Sequence, residues 1–201
     1  LIDYLPERMH LVIATREDPQ FPLARLRARG QLGELRARDL RFTPDEAATF
    51  LNWAMELGLS GEDVAALEAR TDGWIAGLQM AALSIRGRED AAEFVMTLTG
   101  SNRYIADYLV EEVLRRQPDS IRRFLLSTSI LERLSTELCA AVTELEESAV
   151  PLETLQRNNL FVVALDDRGK WFRYHHLFRD ALRAQLMREC PEQLTALHLR
   201  A

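Results

Sequence analysis

From Thr43 to about residue 157 the apolar residues of this chain keep the spacing of α-helices, and then the spacing changes to that of strands. Leu160-Phe161-Val162-Val163-Ala164-Leu165 reads as one strand. Asp166-Asp167-Arg168-Gly169 reads as a turn, and Lys170-Trp171-Phe172-Arg173-Tyr174-His175 as a second strand. Two such runs around a short Gly-containing turn are a β-hairpin signal. Helices followed by a hairpin are the order of a winged-helix domain. Helical spacing then returns, with Phe178, Ala181, Leu182, Gln185 and Leu186 on one face, and Pro191 opens a last helix.

The helix starts before the hairpin carry their own chemistry. Thr43-Pro44-Asp45-Glu46 is a capping box with proline at the first helical position. Ala47, Phe50, Leu51 and Ala54 follow at helical intervals, and Gly58 is placed to end that helix. Ser60 opens the next, with Val64 and Leu67. Thr71-Asp72-Gly73 leads into a third, whose stripe is Trp74, Leu78, Ala81, Ala82 and Ile85. Ser101 is expected to cap a long helix bearing Ile105, Leu109 and Val113. Pro118-Asp119 restarts the chain with Ile121, Phe124, Leu125 and Thr128, and Ser135 and Pro151 each begin a further helix. Ahead of all this, Met9 to Thr15 reads as a buried parallel strand. Leu23 to Arg29 reads as a short helix stopped by Gly30, and Gly33 to Leu40 as one more short strand.

Composition narrows the function classes. Gly 9 and Pro 7 together make about 8% of 201 residues, against a usual ~12%, which argues against a loop-rich or disordered chain. A net charge of -6 argues against a surface built mainly to hold nucleic acid. No run of about 18 apolar residues predicts a membrane span. The first residues have no basic n-region and no Met, so they read as a stretch of a longer chain and not as a signal peptide. Cys139 and Cys190 make no CxxC spacing, which fits a reducing cytoplasm without disulfides.

No GxxxxGK[ST] loop, HExxH pair or GxSxG elbow occurs, so no complete catalytic centre and no metal site is expected. Two positions stand out. Arg16 follows the first strand, where a guanidinium either meets an anion bidentately or pairs with Glu17 or Asp18. His175-His176 lies where the hairpin meets a helix N-terminus. One histidine there either donates to a phosphate oxygen or serves as a core or hinge residue. Adjacent histidines in a strand face opposite sides and chelate poorly. Trp74, Trp171, Phe172 and Tyr174 read as core residues or as a stacking platform for bases. Arg115-Arg116 and Arg122-Arg123 read as solvent-facing pairs.

Four segments in order carry a resemblance. They are Leu11-Val12-Ile13-Ala14-Thr15-Arg16-Glu17-Asp18, Pro22-Leu23-Ala24-Arg25-Leu26-Arg27-Ala28-Arg29-Gly30-Gln31-Leu32, Gly73-Trp74-Ile75-Ala76-Gly77-Leu78-Gln79 and Arg173-Tyr174-His175-His176-Leu177-Phe178. Together they resemble the MalT-like ATP-dependent transcriptional regulators, large bacterial LuxR-type proteins of the STAND class of signalling NTPases. The resemblance spans essentially the whole chain. It implies a mainly α chain that begins with the end of an α/β NTPase core over 1–42. A helical lid over 43–98 and a winged-helix domain over 99–190 would follow, with the start of a superhelical sensor domain over 191–201.

In that reading Thr15 and Arg16 match the sensor-1 position that meets the γ-phosphate. Gly77-Leu78-Gln79 matches a Gly-Leu-Pro segment against the nucleotide, with Gln79 in place of the proline. His175 matches the histidine that touches the ADP β-phosphate in the resting state. The implied cofactor is ATP or ADP, held by the intact protein and not tightly by these residues alone. Phosphate-loop and Walker B segments, the inducer-binding domain and a DNA-binding helix-turn-helix would lie outside these residues. The implied partners are therefore those other domains and further copies of the protein. The expected function is a regulatory, non-enzymatic module that senses ADP or ATP and controls oligomerisation in the cytoplasm. The alternative is a stand-alone winged-helix DNA-binding module. Residues 99–190 carry 13 Lys+Arg against 14 Asp+Glu, and Leu152 to Asn159 offers only Arg157 as a cation. Phosphate contacts need several.

Overall fold

Side-chain caps open several helices of this chain, and a computed structural model shows them in place. It describes residues 6, 8–15, 18–88, 90–144, 149–157, 160–166 and 168–201. Helix α1 is Leu23–Ala28, and Gly30 turns the chain away from it at φ +64°. Helix α2, Pro44–Ala48, opens on the Thr43 and Glu46 box and runs on as a π-helical turn over Thr49–Ala54. Its end comes three residues before the expected Gly58, at Met55, and Glu56 takes a left-handed φ of 57°. Asn52 fixes that exit, accepting from the Leu59 N–H at 2.7 Å and donating to the Leu59 carbonyl at 2.9 Å.

Helices α3 (Gly61–Thr71), α4 (Ile75–Ile85) and α5 (Ala91–Thr97) follow. Ser60 caps α3 by accepting from the Asp63 N–H. Arg70 near the end of α3 donates to the carbonyls of Leu98 and Met96, placing a cation at the C-terminus of α5. Helix α6, Arg103–Tyr108, continues as a second π-helical stretch over Leu109–Leu114. Its cap is Asn102, which accepts from the Tyr104 N–H. The expected cap, Ser101, instead has its hydroxyl 2.6 Å from that of Thr99.

Then come α7 (Asp119–Thr128), α8 (Thr136–Thr143, capped by Ser135) and α9 (Ala149–Arg157). Helix α9 starts two residues before Pro151. Proline is tolerated there because the first N–H groups of a helix have no intrahelical acceptor. Strands β1 (Val162–Ala164) and β2 (Phe172–Tyr174) pair antiparallel, with Val163 opposite Arg173. Leu134, between α7 and α8, adds a bridge to Phe172 through N–H···O bonds of 2.7 and 2.9 Å. Helices α10 (His176–Glu189) and α11 (Gln193–Arg200) complete the order. The architecture is mainly helical with one small hairpin.

One apolar cluster runs from Ala47 of α2 to Leu197 of α11 and joins both groups of helices. Phe124 of α7 and Phe178 of α10 are among its largest fully buried side chains. Each buries apolar area that stabilises by roughly 1.5–3 kcal/mol. The hydroxyls of Tyr174 and Thr128 lie 2.7 Å apart inside it, tying β2 to α7. Phe172 and Tyr174 are buried and Trp171 is 40% exposed, so these aromatics do not form one stacking face. Arg122 is not a free surface cation, since it bonds Glu189 of α10.

Two expected strands are absent. Residues 9–15 carry no strand, and Val12 is 90% exposed. An apolar run becomes a buried parallel strand only between neighbouring strands and covering helices, and none lies beside it among the described residues. Residues 33–40 hold a short 3₁₀ turn over Ala37–Leu40 and no strand. Local bonds win there. The Arg36 N–H donates to Asp39 at 2.9 Å, and Arg27 and Arg36 both hold Glu34. Those two guanidiniums, Arg27 first, bring the Glu34 carboxyl down to about 2.

Candidate functional site

The site grows from the turn between α3 and α4. Helix α3 ends with Asp72 in the left-handed region at φ 48° and Gly73 at φ +68°. A Cβ on Gly73 would lie 2.4 Å from the Phe42 carbonyl, whose own N–H donates to the Gly73 carbonyl at 2.8 Å. Only glycine fits both the φ and the approach. The turn is thereby pinned to the segment before α2, and the Thr71 carbonyl and Asp72 carboxylate are held toward α10.

His175 meets them. It is the N-cap position of α10 and is 4% exposed. Its Nε2 lies 2.7 Å from the Thr71 carbonyl oxygen and 3.6 Å from Asp72 Oδ2. Its backbone N–H donates to the Phe161 carbonyl at 2.7 Å. Phe161 itself sits at φ 55°, an outlier for a bulky residue. Two left-handed non-glycine residues, Asp72 and Phe161, thus flank one histidine. Such conformations cost about 1–3 kcal/mol each and cluster where function needs them.

Burial pushes the His175 imidazole below its ordinary value. The Thr71 carbonyl and Asp72 pull the other way, and Arg173 and Arg41 add to the downward shift. The neutral ring then donates from Nε2 to Thr71, which leaves Nδ1 as an acceptor. Nδ1 is buried and has no hydrogen-bond partner. The next residue, His176, begins α10 and is exposed.

Arg173 closes the junction, with NH1 and NH2 both 3.2 Å from Asp72 Oδ2. The two side chains are 22% and 15% exposed. The indole of Trp74 fills the space between the helices, 5.0 Å from the Phe161 ring and 5.9 Å from that of His175. Gly77 is buried on the same indole: a Cβ there would lie 2.7 Å from Trp74 Cε3 and 3.2 Å from Thr71 Cγ2.

Of the residues singled out from sequence, His175 and Gly77 therefore share one cluster. Gln79 is exposed on α4, and Thr15 is exposed in the extended segment before α1. Arg16 and Glu17 lie outside the described residues, as does Asn159. Sequence reasoning missed the roles of Thr71, Asp72 and Phe161. An Asp-Gly pair after a helix signals a left-handed exit, yet nothing local shows that a histidine about a hundred positions later will rest on it. Among the described residues no group of three or more His, Cys, Asp or Glu could hold a metal ion. Among them too, no helix is long and apolar enough to cross a membrane.

Comparison with known proteins fits this picture. Residues 110–194 match the MalT winged helix domain. The chain is 36% identical over 201 residues to the serine/threonine-protein kinase PknK of Mycobacterium tuberculosis, covering all of this chain and 18% of that protein. It is 37% identical over 195 residues to the HTH-type transcriptional regulator MalT of Klebsiella pneumoniae, covering 96% of this chain and 22% of that protein. The chain spans about a fifth of the length of these relatives. The hairpin, its Leu134 bridge and the helices around them are the matched winged helix, and the chain is MalT-like, with a MalT winged helix domain over residues 110–194.

Proposed function

We propose that this chain is a regulatory switch module that senses ADP or ATP and thereby controls self-association of a larger protein. The observation that carries the reading is the buried junction of His175 with Thr71 and Asp72. It joins the helices of 44–97 to the winged helix through few polar contacts, with the Nε2–H of His175 held by the Thr71 carbonyl. Phosphate oxygens accept hydrogen bonds, so a nucleotide phosphate that takes this N–H from Thr71 engages His175 in one arrangement and not in the other, and biases a two-state element. Gly77, early in α4 and packed against Trp74 and Thr71, lies in the same cluster. In this reading Arg16 and Thr15 contact the phosphates from the core side, and Gln79 lies at the rim. The module itself performs no chemistry.

The relatives support a switch over an output domain. The same stretch recurs in a protein kinase and in a transcriptional regulator, so it supplies something those two proteins share. The test uses a full-length protein containing this segment, purified with its nucleotide. Replacing His175 by Ala is expected to cut ADP retained through gel filtration at least several-fold and to raise self-association without inducer. Unchanged ADP retention together with unchanged basal activity would remove the reading.

A further inference from the structure

An open cleft of about 320 Å³ lies beside the hairpin. It is lined by Glu132 and Arg133 from the α7–α8 connection, Leu165 and Arg173 from the hairpin, and His176 and Arg179 from the first turn of α10. Three guanidiniums there face one carboxylate. The charge of Arg173 is already met by Asp72. Arg133 and Arg179 have no side-chain hydrogen bond or ion pair among the described residues, and the Nε of Arg179 is buried without an acceptor. A desolvated donor left unpaired costs about 1–3 kcal/mol, and a charged one belongs with an anion. The start of α10 adds to the same field. This helix has 14 residues and no side-chain cap, and its first turn supplies His176 and Arg179 to the cleft wall, so the positive dipole end is near the cleft.

We propose that this cleft binds an oxyanion of the phosphate class. Arg133 and Arg179 outnumber the one carboxylate of the cleft, Glu132, and leave it net positive. The planar fork of arginine sets the geometry, because it meets a tetrahedral oxyanion through paired N–H···O bonds. The site is separate from the His175 junction and shares only Arg173 with it, so it stands whether or not the nucleotide reading holds.

Calorimetric titration of the 201-residue chain with inorganic pyrophosphate tests it, with orthophosphate, ADP and a short DNA duplex as parallel arms. Saturable binding of pyrophosphate is expected. Arg133→Gln and Arg179→Gln should each weaken it about tenfold, while Arg103→Gln on α6 leaves it unchanged. Arg133 is exposed, so its variant keeps the fold and carries the test if Arg179→Gln does not. A stronger response to ADP, lost with the same arginines, identifies a nucleotide as the source of the phosphate. No saturable binding, binding indifferent to both arginines, or tighter binding of the duplex with the same arginine dependence overturns the proposal.

Discussion

The imidazole of His175 and the carbonyl of Thr71 lie 2.7 Å apart although 104 positions separate them in the chain. This bond holds the end of α3 against the start of α10, and burial makes it a bond of the neutral ring. The folded protein resists protonating His175, and the unfolded chain does not. Protons therefore bind preferentially to the unfolded state as pH falls below the ordinary histidine value of about 6.5. Stability from this residue is intact above that value and declines beneath it, down to the lowered folded-state value. The thermal midpoint should drop between pH 7.5 and pH 5.5, and His175→Gln should flatten that slope. An equal slope in both proteins would show that His175 does not titrate against folding.

Asp72 serves two ends at once, as the left-handed exit of α3 and as the counter-ion of Arg173. Asparagine tolerates the left-handed region, so Asp72→Asn removes charge and spares backbone. It should destabilise by about 1–2 kcal/mol, because a half-buried guanidinium loses its partner while solvent screens part of the loss. Asp72→Ala should cost about 1 kcal/mol more for the strained φ. Urea denaturation of the two variants separates the contributions, and equal midpoints would contradict the backbone part.

Gly100 lies against α10 with no room for a side chain. A Cβ there would sit 1.8 Å from the Leu177 carbonyl oxygen and 2.9 Å from Asp180 Cβ. Gly100→Ala must push the loop off the helix and should cost about 3 kcal/mol. Gly77→Ala meets the edge of the Trp74 ring and the Thr71 methyl, which can shift, so about 1–2 kcal/mol is expected. Chemical denaturation that ranks the two in the opposite order would contradict the packing described.

Cys139 is fully buried on α8, and burial pushes its thiol up to about 12. The reactive species is the thiolate. At pH 8 a chromogenic disulfide reagent should therefore modify the half-buried Cys190 first, with Cys139 reacting only at the rate of unfolding. Two equally fast thiols would mean that α8 opens readily in the native state.

Much of the secondary structure was legible because its causes are local. The Thr43 and Glu46 box, the Ser60 and Ser135 caps and the hairpin turn ending at Gly169 are contacts within a few residues. The switch from helical to strand spacing after α9 foretold the winged helix. Where local bonds competed, the sequence reading slipped. Asn102 took the cap from Ser101, and a box between Arg36 and Asp39 made a turn where a strand was expected.

The sequence by itself determined the run of helices from Thr43 onward, the hairpin that follows them and the apolar stripes of most of those helices, since periodicity and capping need no distant partner. Only the tertiary structure decided that Thr71, Asp72, Phe161 and Arg173 converge on His175. It also decided that Met9 to Thr15 lies exposed and that Arg133 and Arg179 line a cleft without a side-chain partner among the described residues. Those outcomes depend on which surfaces meet across a hundred residues of chain. An exposed apolar run, a histidine against a carbonyl and two arginines at one cleft are properties of that meeting.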